Sequence, residues 1–145
     1  MTISEIRAGM TASTEIVVGT RDTAHHVGSG RIKVLATPVL VMLLEEAALK
    51  AVEDFLPPGM QTVGIRLDVS HVAATPVGMR VVAHAEVTEV AGRKLTFRVW
   101  AEDEVEMIGE GVHERIEVQL QRFDERASAK AERVRSRNAG KEHRP

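Results

Sequence analysis

The chain has no cysteine, no tyrosine and only four aromatic rings, Phe55, Phe97, Trp100 and Phe123, in 145 residues. Without cysteine there are no disulfides, no thiolate metal ligands and no sulfur nucleophile, so any nucleophile is an oxygen or a water. So few rings also argue against a surface on which bases stack. No apolar run reaches the roughly eighteen residues a membrane span requires. No basic N-terminal region leads into an apolar segment either, which makes a cytoplasmic protein with no membrane partner the expectation. Neither HExxH nor HxH spacing occurs, and Gly28-Ser29-Gly30 is too short for a dinucleotide or phosphate loop, so neither a metal nor a bound redox cofactor is expected.

What is present describes one soluble domain: 43% hydrophobic and 28% charged residues, enough for a modest core. Charge is unevenly spread. From Asp124 onward there are seven Lys or Arg against four Asp or Glu, leaving twelve against seventeen before it. The expectation is a single domain over residues 1–123 and a basic tail over 124–145, a frayed helix or flexible and solvated rather than an arm for nucleic acid.

The most informative stretch runs from Val34 to Ala48. Thr37 has the side chain of an N-cap and Pro38 suits the first helical position, where its missing N–H costs nothing. At about 100° per residue, Leu40, Leu44, Ala47, Ala48, Ala51, Val52 and Phe55 share one arc, with Glu46, Lys50 and Glu53 opposite. Glu46 stands four residues before Lys50, an ordinary ion-pair spacing on a wet face. Glu45 sits at the edge of the apolar arc, where a lone carboxylate is costly unless it is paired or functional.

After Leu56-Pro57-Pro58-Gly59 the period changes to two. In 63–73 the odd positions, His71 included, form one apolar face against Arg66, Asp68 and Ser70. Strands are expected at about 63–73, 79–90, 93–101 and 106–121, with an opening strand at 11–18. Gly109 and Gly111 point to a bulge or a close backbone approach in the last of them. One helix of roughly eighteen residues cannot cover both faces of such a sheet. The fold class is therefore α+β, an antiparallel sheet wrapped around one long helix, with a surface or edge left to bury in a dimer.

These residues resemble a family of single-domain hotdog-fold acyl-CoA thioesterases, the kind that includes fluoroacetyl-CoA thioesterase. The likeness is carried by Val27-Gly28-Ser29-Gly30, Val34-Leu35-Ala36-Thr37-Pro38 with Glu45, Val63-Gly64, the stretch Val69 to Gly78, and Ile108 to Arg115. It implies the hotdog fold, a homodimer or dimer of dimers, and a site at the subunit interface that hydrolyses an acyl-CoA thioester, with coenzyme A part of the substrate and no other cofactor. It also implies that Thr37, Glu45 and His71 are catalytic and that Gly64 lies near the acyl group. One departure stands between Gly19 and Val34, where phenylalanines gate the pocket of the fluoroacetate enzyme and this chain has no aromatic residue.

Such a set can supply what thioester cleavage needs. Glu45 can attack the carbonyl to give a mixed anhydride, or Glu45 or His71 can activate water, while N–H groups near the helix start or Gly64 hold the oxyanion. Each residue also has a plainer role: Thr37 as a cap, Glu45 as an ion-pair member, His71 as a hydrogen-bonded core residue, Gly64 as a bulge. His113 and Glu114 point to opposite faces of a strand and make a poor metal pair, and Arg115 suits the fold or a dimer contact. Two rival functions share the scaffold, an enoyl-CoA hydratase and a non-catalytic acyl-ligand binding protein.

Overall fold

The alternating second half of the chain becomes the sheet. In a computed structural model that describes residues 5–142, the strands are β1 (Thr11–Val17), β2 (Met60–His71), β3 (Arg80–Ala91), β4 (Lys94–Asp103) and β5 (Met107–Gln119). They lie in the order β1-β3-β4-β5-β2, all antiparallel. Ahead of the main helix a short α1 (Ala24–Val27) caps a loop, and α2 (Thr37–Val52) then lies in the curl of the sheet, chiefly across β1 and β3. Val81, Ala83, Ala85 and Val87 of β3 and Leu95, Phe97, Val99 and Ala101 of β4 are buried against Leu40, Leu43, Leu44, Ala47, Ala48, Ala51 and Val52 of α2. Small residues on both sides of this contact let the helix sit close to the strands. This is the hotdog architecture, a sheet wrapped on one central helix.

The helix phase differs from the sequence reading at its ends. Leu43 and Val39 join the core, while Phe55, in a short 3₁₀ turn after α2, is 42% exposed. Thr37 is the first helical residue rather than the cap; Ala36 holds the N-cap position and no side chain caps the helix.

A larger correction falls on β2. The pairing with β5 slips between Gly64 and Arg66, so Gly64 faces Arg115 and Leu67 faces His113 with Ile65 left over as a bulge. The apolar odd positions therefore do not share one face. Leu67, Val69 and His71 turn toward the helix, but ahead of the bulge it is Thr62 and Gly64 that do, and Val63 lies on the outer side opposite Ile116.

In β5 the inner face is Gly109, Gly111, His113, Arg115 and Glu117, the last three buried polar residues, while the apolar Val112 is 45% exposed. Both readings of the two glycines hold. A Cβ at Gly111 would run into the Asp68 carbonyl and Val69 Cα, and one at Gly109 would sit 2.9 Å from Leu40 Cδ2. The β4–β5 register also shifts beside them, between Ala101 and Glu102.

Across β3 and β4 the outer face of the sheet is polar. Trp100 is stacked by His84 at 5.1 Å and by the Arg98 guanidinium at 4.3 Å, and His84 Nε2 lies 2.9 Å from Glu102. Arg66 and Lys94 pair with Glu114 on the same side. Such a face is stable in water, which leaves the free edge of β2 as the surface with most to gain from a partner. The chain ends in α3 (Leu120–Glu142), begun by the Leu120 N–H donating to the Gly59 carbonyl; every described side chain from 120 to 140 is exposed. The basic segment is thus helical throughout its described length. No helix among the described residues is long and apolar enough to cross a membrane.

Candidate active site

Two clusters form along α2. At its start, Thr37 Oγ1 lies 2.7 Å from His71 Nδ1 at the end of β2. The other ring nitrogen, Nε2, is buried without a hydrogen-bond partner. Burial holds the His71 pKa below its ordinary value, with the Ala73 backbone a smaller opposing influence, so the ring is neutral near pH 7. Thr37 and His71 stand in an open cleft of about 460 Å³ whose other walls include Ser29, Ile32, Val34, Leu35, Val72 and Ala73. No aromatic residue lines it.

Two turns further along α2, Glu45 forms the second cluster. Its Oε2 is 3.6 Å from Arg115 Nη1, and its side chain is 39% exposed. A Cβ on Gly64 would lie 2.8 Å from Glu45 Oε2 and 3.2 Å from His113 Cε1, so the carboxylate occupies space that only glycine leaves open. Arg115 is anchored from behind: Nε–H donates to Thr62 Oγ1 at 2.9 Å and Nη2–H to the Thr62 carbonyl at 3.0 Å. Burial lowers the Arg115 pKa and the Glu45 charge opposes that shift.

Glu46, next in sequence, points elsewhere, accepting from Thr14 Oγ1 at 3.1 Å and pairing with Lys50 at 3.4 Å. The two glutamates are almost equally exposed, so their partners distinguish them and their depth does not.

Of the four residues singled out from the sequence, the structure joins Thr37 to His71 and Glu45 to Gly64, but it does not join the two pairs. Eight helical residues put Glu45 roughly 12 Å along the axis from Thr37. No hydrogen bond or ion pair links Glu45 to Thr37 or His71. His113, read from the sequence with Glu114 as a poor metal pair, and Arg115, read as suiting the fold or a dimer contact, turn out to be the carboxylate's neighbours. The available signal was their shared parity with Gly109 and Gly111 on one face of β5. Among the described residues no group of three or more His, Asp or Glu is arranged to hold a metal ion.

A family model described as fluoroacetyl-CoA-specific thioesterase matches residues 18–121. The fluoroacetyl-CoA thioesterase of Streptantibioticus cattleyicolor is 41% identical over 98 residues, 68% of this chain and 70% of that protein. A solved structure of fluoroacetyl-CoA thioesterase superposes with a TM-score of 0.81 at 35% identity, covering 86% of this chain and 97% of the other. A thioesterase superfamily member from Thermus thermophilus superposes with a TM-score of 0.86 at 27% identity, covering 92% and 99%.

Proposed function

The chain belongs to the fluoroacetyl-CoA-specific thioesterase family, and from that premise we propose that it hydrolyses an acyl-CoA thioester to the free acid and coenzyme A in sites shared between two copies of the chain. The observation that carries this reading is the division of one protomer into two incomplete halves. One holds a carboxylate whose neighbouring histidine, His113, has both ring nitrogens engaged, the other a histidine whose free nitrogen has nothing to act on.

The free edge of β2 supplies the way to unite them. With the bulged Ile65 left out of the ladder, Gly64, beside Glu45, and His71 lie three positions on either side of a midpoint at Asp68. An antiparallel pairing of β2 with its copy about a two-fold axis at that midpoint sets Gly64 of each chain across from His71 of the other. Each site then receives Glu45, Gly64 and Arg115 from one protomer and Thr37 and His71 from its partner.

In such a site each group has a distinct task. The Thr37 hydroxyl donates to Nδ1 of neutral His71, which puts the proton on Nε2 and aims it at the thioester oxygen, where negative charge develops. Glu45, oriented by Arg115, either attacks the carbonyl carbon to give a mixed anhydride that water cleaves, or takes the proton of the attacking water. In both routes the C–S bond breaks and coenzyme A leaves as a thiolate, which needs less help from an acid than an amine does. Coenzyme A is part of the substrate, and no step requires another cofactor. Descent among thioesterases disfavours the hydratase and the non-catalytic readings.

We expect no marked preference for a fluoroacetyl over an acetyl group. Large discrimination between near-identical substrates depends on groups built to contact the distinguishing atom, and the walls beside His71 are open and mostly aliphatic, with Ser29 and Arg31 among them and no aromatic ring to gate them. The test is thiol release from acetyl-, fluoroacetyl-, hexanoyl- and phenylacetyl-CoA. The reading expects similar kcat/KM for the first two and a higher value for at least one of the others. A marked fluoroacetyl preference would overturn the assignment of substrate, and no thiol release from any acyl-CoA would overturn the function.

A further inference from the structure

His113 has no exposed surface, and both ring nitrogens are engaged. Nδ1 lies 2.8 Å from the Arg66 carbonyl, which can only accept, so Nδ1 carries the proton. In the neutral ring Nε2 is then left with a lone pair, and Arg115 Nη1–H donates to it at 3.3 Å. The same Nη1 faces Glu45 Oε2. Arg66 is the residue at which β2 regains register after its bulge, and the bulge separates Thr62 and Gly64, on the inner face, from the rest of the strand.

We propose that His113 is a positioning residue for thioester cleavage: it fixes the Arg115 guanidinium against Glu45 through Nε2 and the bulge that carries Gly64 through Nδ1. This rests on the reading of Glu45 as the acting carboxylate. An apolar residue of similar size would stack on Phe97 as the imidazole does, with ring centroids 5.9 Å apart. What it lacks is one donor and one acceptor at opposite corners of the ring, and those are the two functions the surroundings use.

Nothing in this arrangement calls for a charged ring. Burial and the neighbouring Arg115 both lower the His113 pKa, against the Arg66 carbonyl, Glu45 and Glu114, and the net direction is downward. A proton on Nε2 would point at the guanidinium and push it from its seat. The neutral ring and the fixed guanidinium therefore depend on each other.

Asparagine and glutamine separate the two contacts. In His113→Asn the amide replaces Nδ1 and the acceptor toward Arg115 is lost; in His113→Gln the amide oxygen replaces Nε2 and the acceptor is kept. For thiol release from the best acyl-CoA, we expect His113→Asn to lower kcat about tenfold or more with KM changed less than about twofold, and His113→Gln to stay within about threefold of the parent. In an Arg115→Lys background the Asn substitution should cost less than about twofold, because the partner it acts through is already gone.

Light scattering and thermal melting establish that each variant is folded. Imidazole-nitrogen NMR of the unsubstituted protein is a check that needs no variant, and it should find the His113 proton on Nδ1. A proton on Nε2, an unchanged kcat in folded His113→Asn, equal losses in the Asn and Gln variants, or losses that multiply with Arg115→Lys would each overturn the proposal. Full turnover in Glu45→Gln would instead overturn the reading of the carboxylate on which it rests.

Discussion

The Thr37 hydroxyl is directed to His71 and not to its own helix: Oγ1 lies 2.7 Å from Nδ1, while α2 starts without a side-chain cap. A capping threonine and a histidine-orienting threonine respond differently to substitution. Thr37→Val keeps the shape and removes the hydroxyl. Loss of a cap would cost about 0.5–2 kcal/mol of stability. Here we expect less than about 0.5 kcal/mol on unfolding but a fall in kcat of about tenfold or more, with Thr37→Ser keeping most of the activity. Denaturation and turnover of both variants, measured side by side, decide between the roles; a large stability loss with kcat intact would restore the cap.

Glu45 and Glu46 offer a control within two residues. Glu45→Gln keeps the shape and removes the charge, and should lower kcat by about a hundredfold or more. Glu46→Gln loses only an exposed i,i+4 pair worth about 0.3–0.5 kcal/mol and should turn over normally. Sharing of the site has its own signature. Glu45→Gln mixed with His71→Ala and reassembled should recover about a quarter of parental activity, since half of random dimers are mixed and one of their two sites is intact. No recovery from the mixture, with exchange verified, would mean that each protomer holds a whole site.

Gly64→Ala tests the close approach of backbone to carboxylate. The added methyl would meet the far end of a flexible side chain at 2.8 Å. The fold should accommodate it for about 1 kcal/mol or less, while the carboxylate moves off its place and kcat falls by about tenfold or more. A variant with parental kinetics would show that Glu45 needs no such room.

Stability should also depend on pH in a stated direction. His71 and His113 both have pKa values lowered in the fold, principally by burial. Below the unfolded value of about 6.5 the unfolded chain takes up protons that the folded chain refuses, so stability falls as pH falls through that region and levels off below the folded values. Unfolding free energy should be flat above about pH 7 and decline toward pH 5, and His113→Gln, by removing one of the two groups, should flatten the decline. Denaturant titrations across this range measure it, and a rise in stability on acidification contradicts it.

The sequence made β3 and β4 legible because their apolar alternation runs unbroken from Val81 to Val87 and from Leu95 to Ala101, each presenting one buried face. It misled in β2, where Val63, Ile65 and Leu67 continue the apolar alternation straight through a register slip, so periodicity alone cannot reveal that the face has changed. In β5 the apolar residues beyond the glycines are Val112, Ile116 and Val118, yet the structure buries His113, Arg115 and Glu117. His113 and Arg115 are tolerated inside because they satisfy each other and the Arg66 carbonyl and Thr62 hydroxyl and carbonyl of β2, and those β2 partners are distant in sequence. The family resemblance named Thr37, Glu45, His71 and Gly64 together; that one protomer keeps them as two separate pairs was not legible, since it depends on where the ends of α2 meet β2.

The free edge of β2 carries one more consequence. It is twelve residues long, contains no proline, and has Ile65 at 51% and Met42 of the adjoining helix at 53% exposure. Edges of this kind recruit any strand that offers itself, including partly folded copies. If protomers pair through this edge as proposed, one that has not found its mate is a seed for aggregation, and the yield of soluble protein in a cell is then tied to how fast protomers meet. Substitutions that weaken such a proposed edge-to-edge contact would first be noticed as poor expression and only afterwards as poor catalysis.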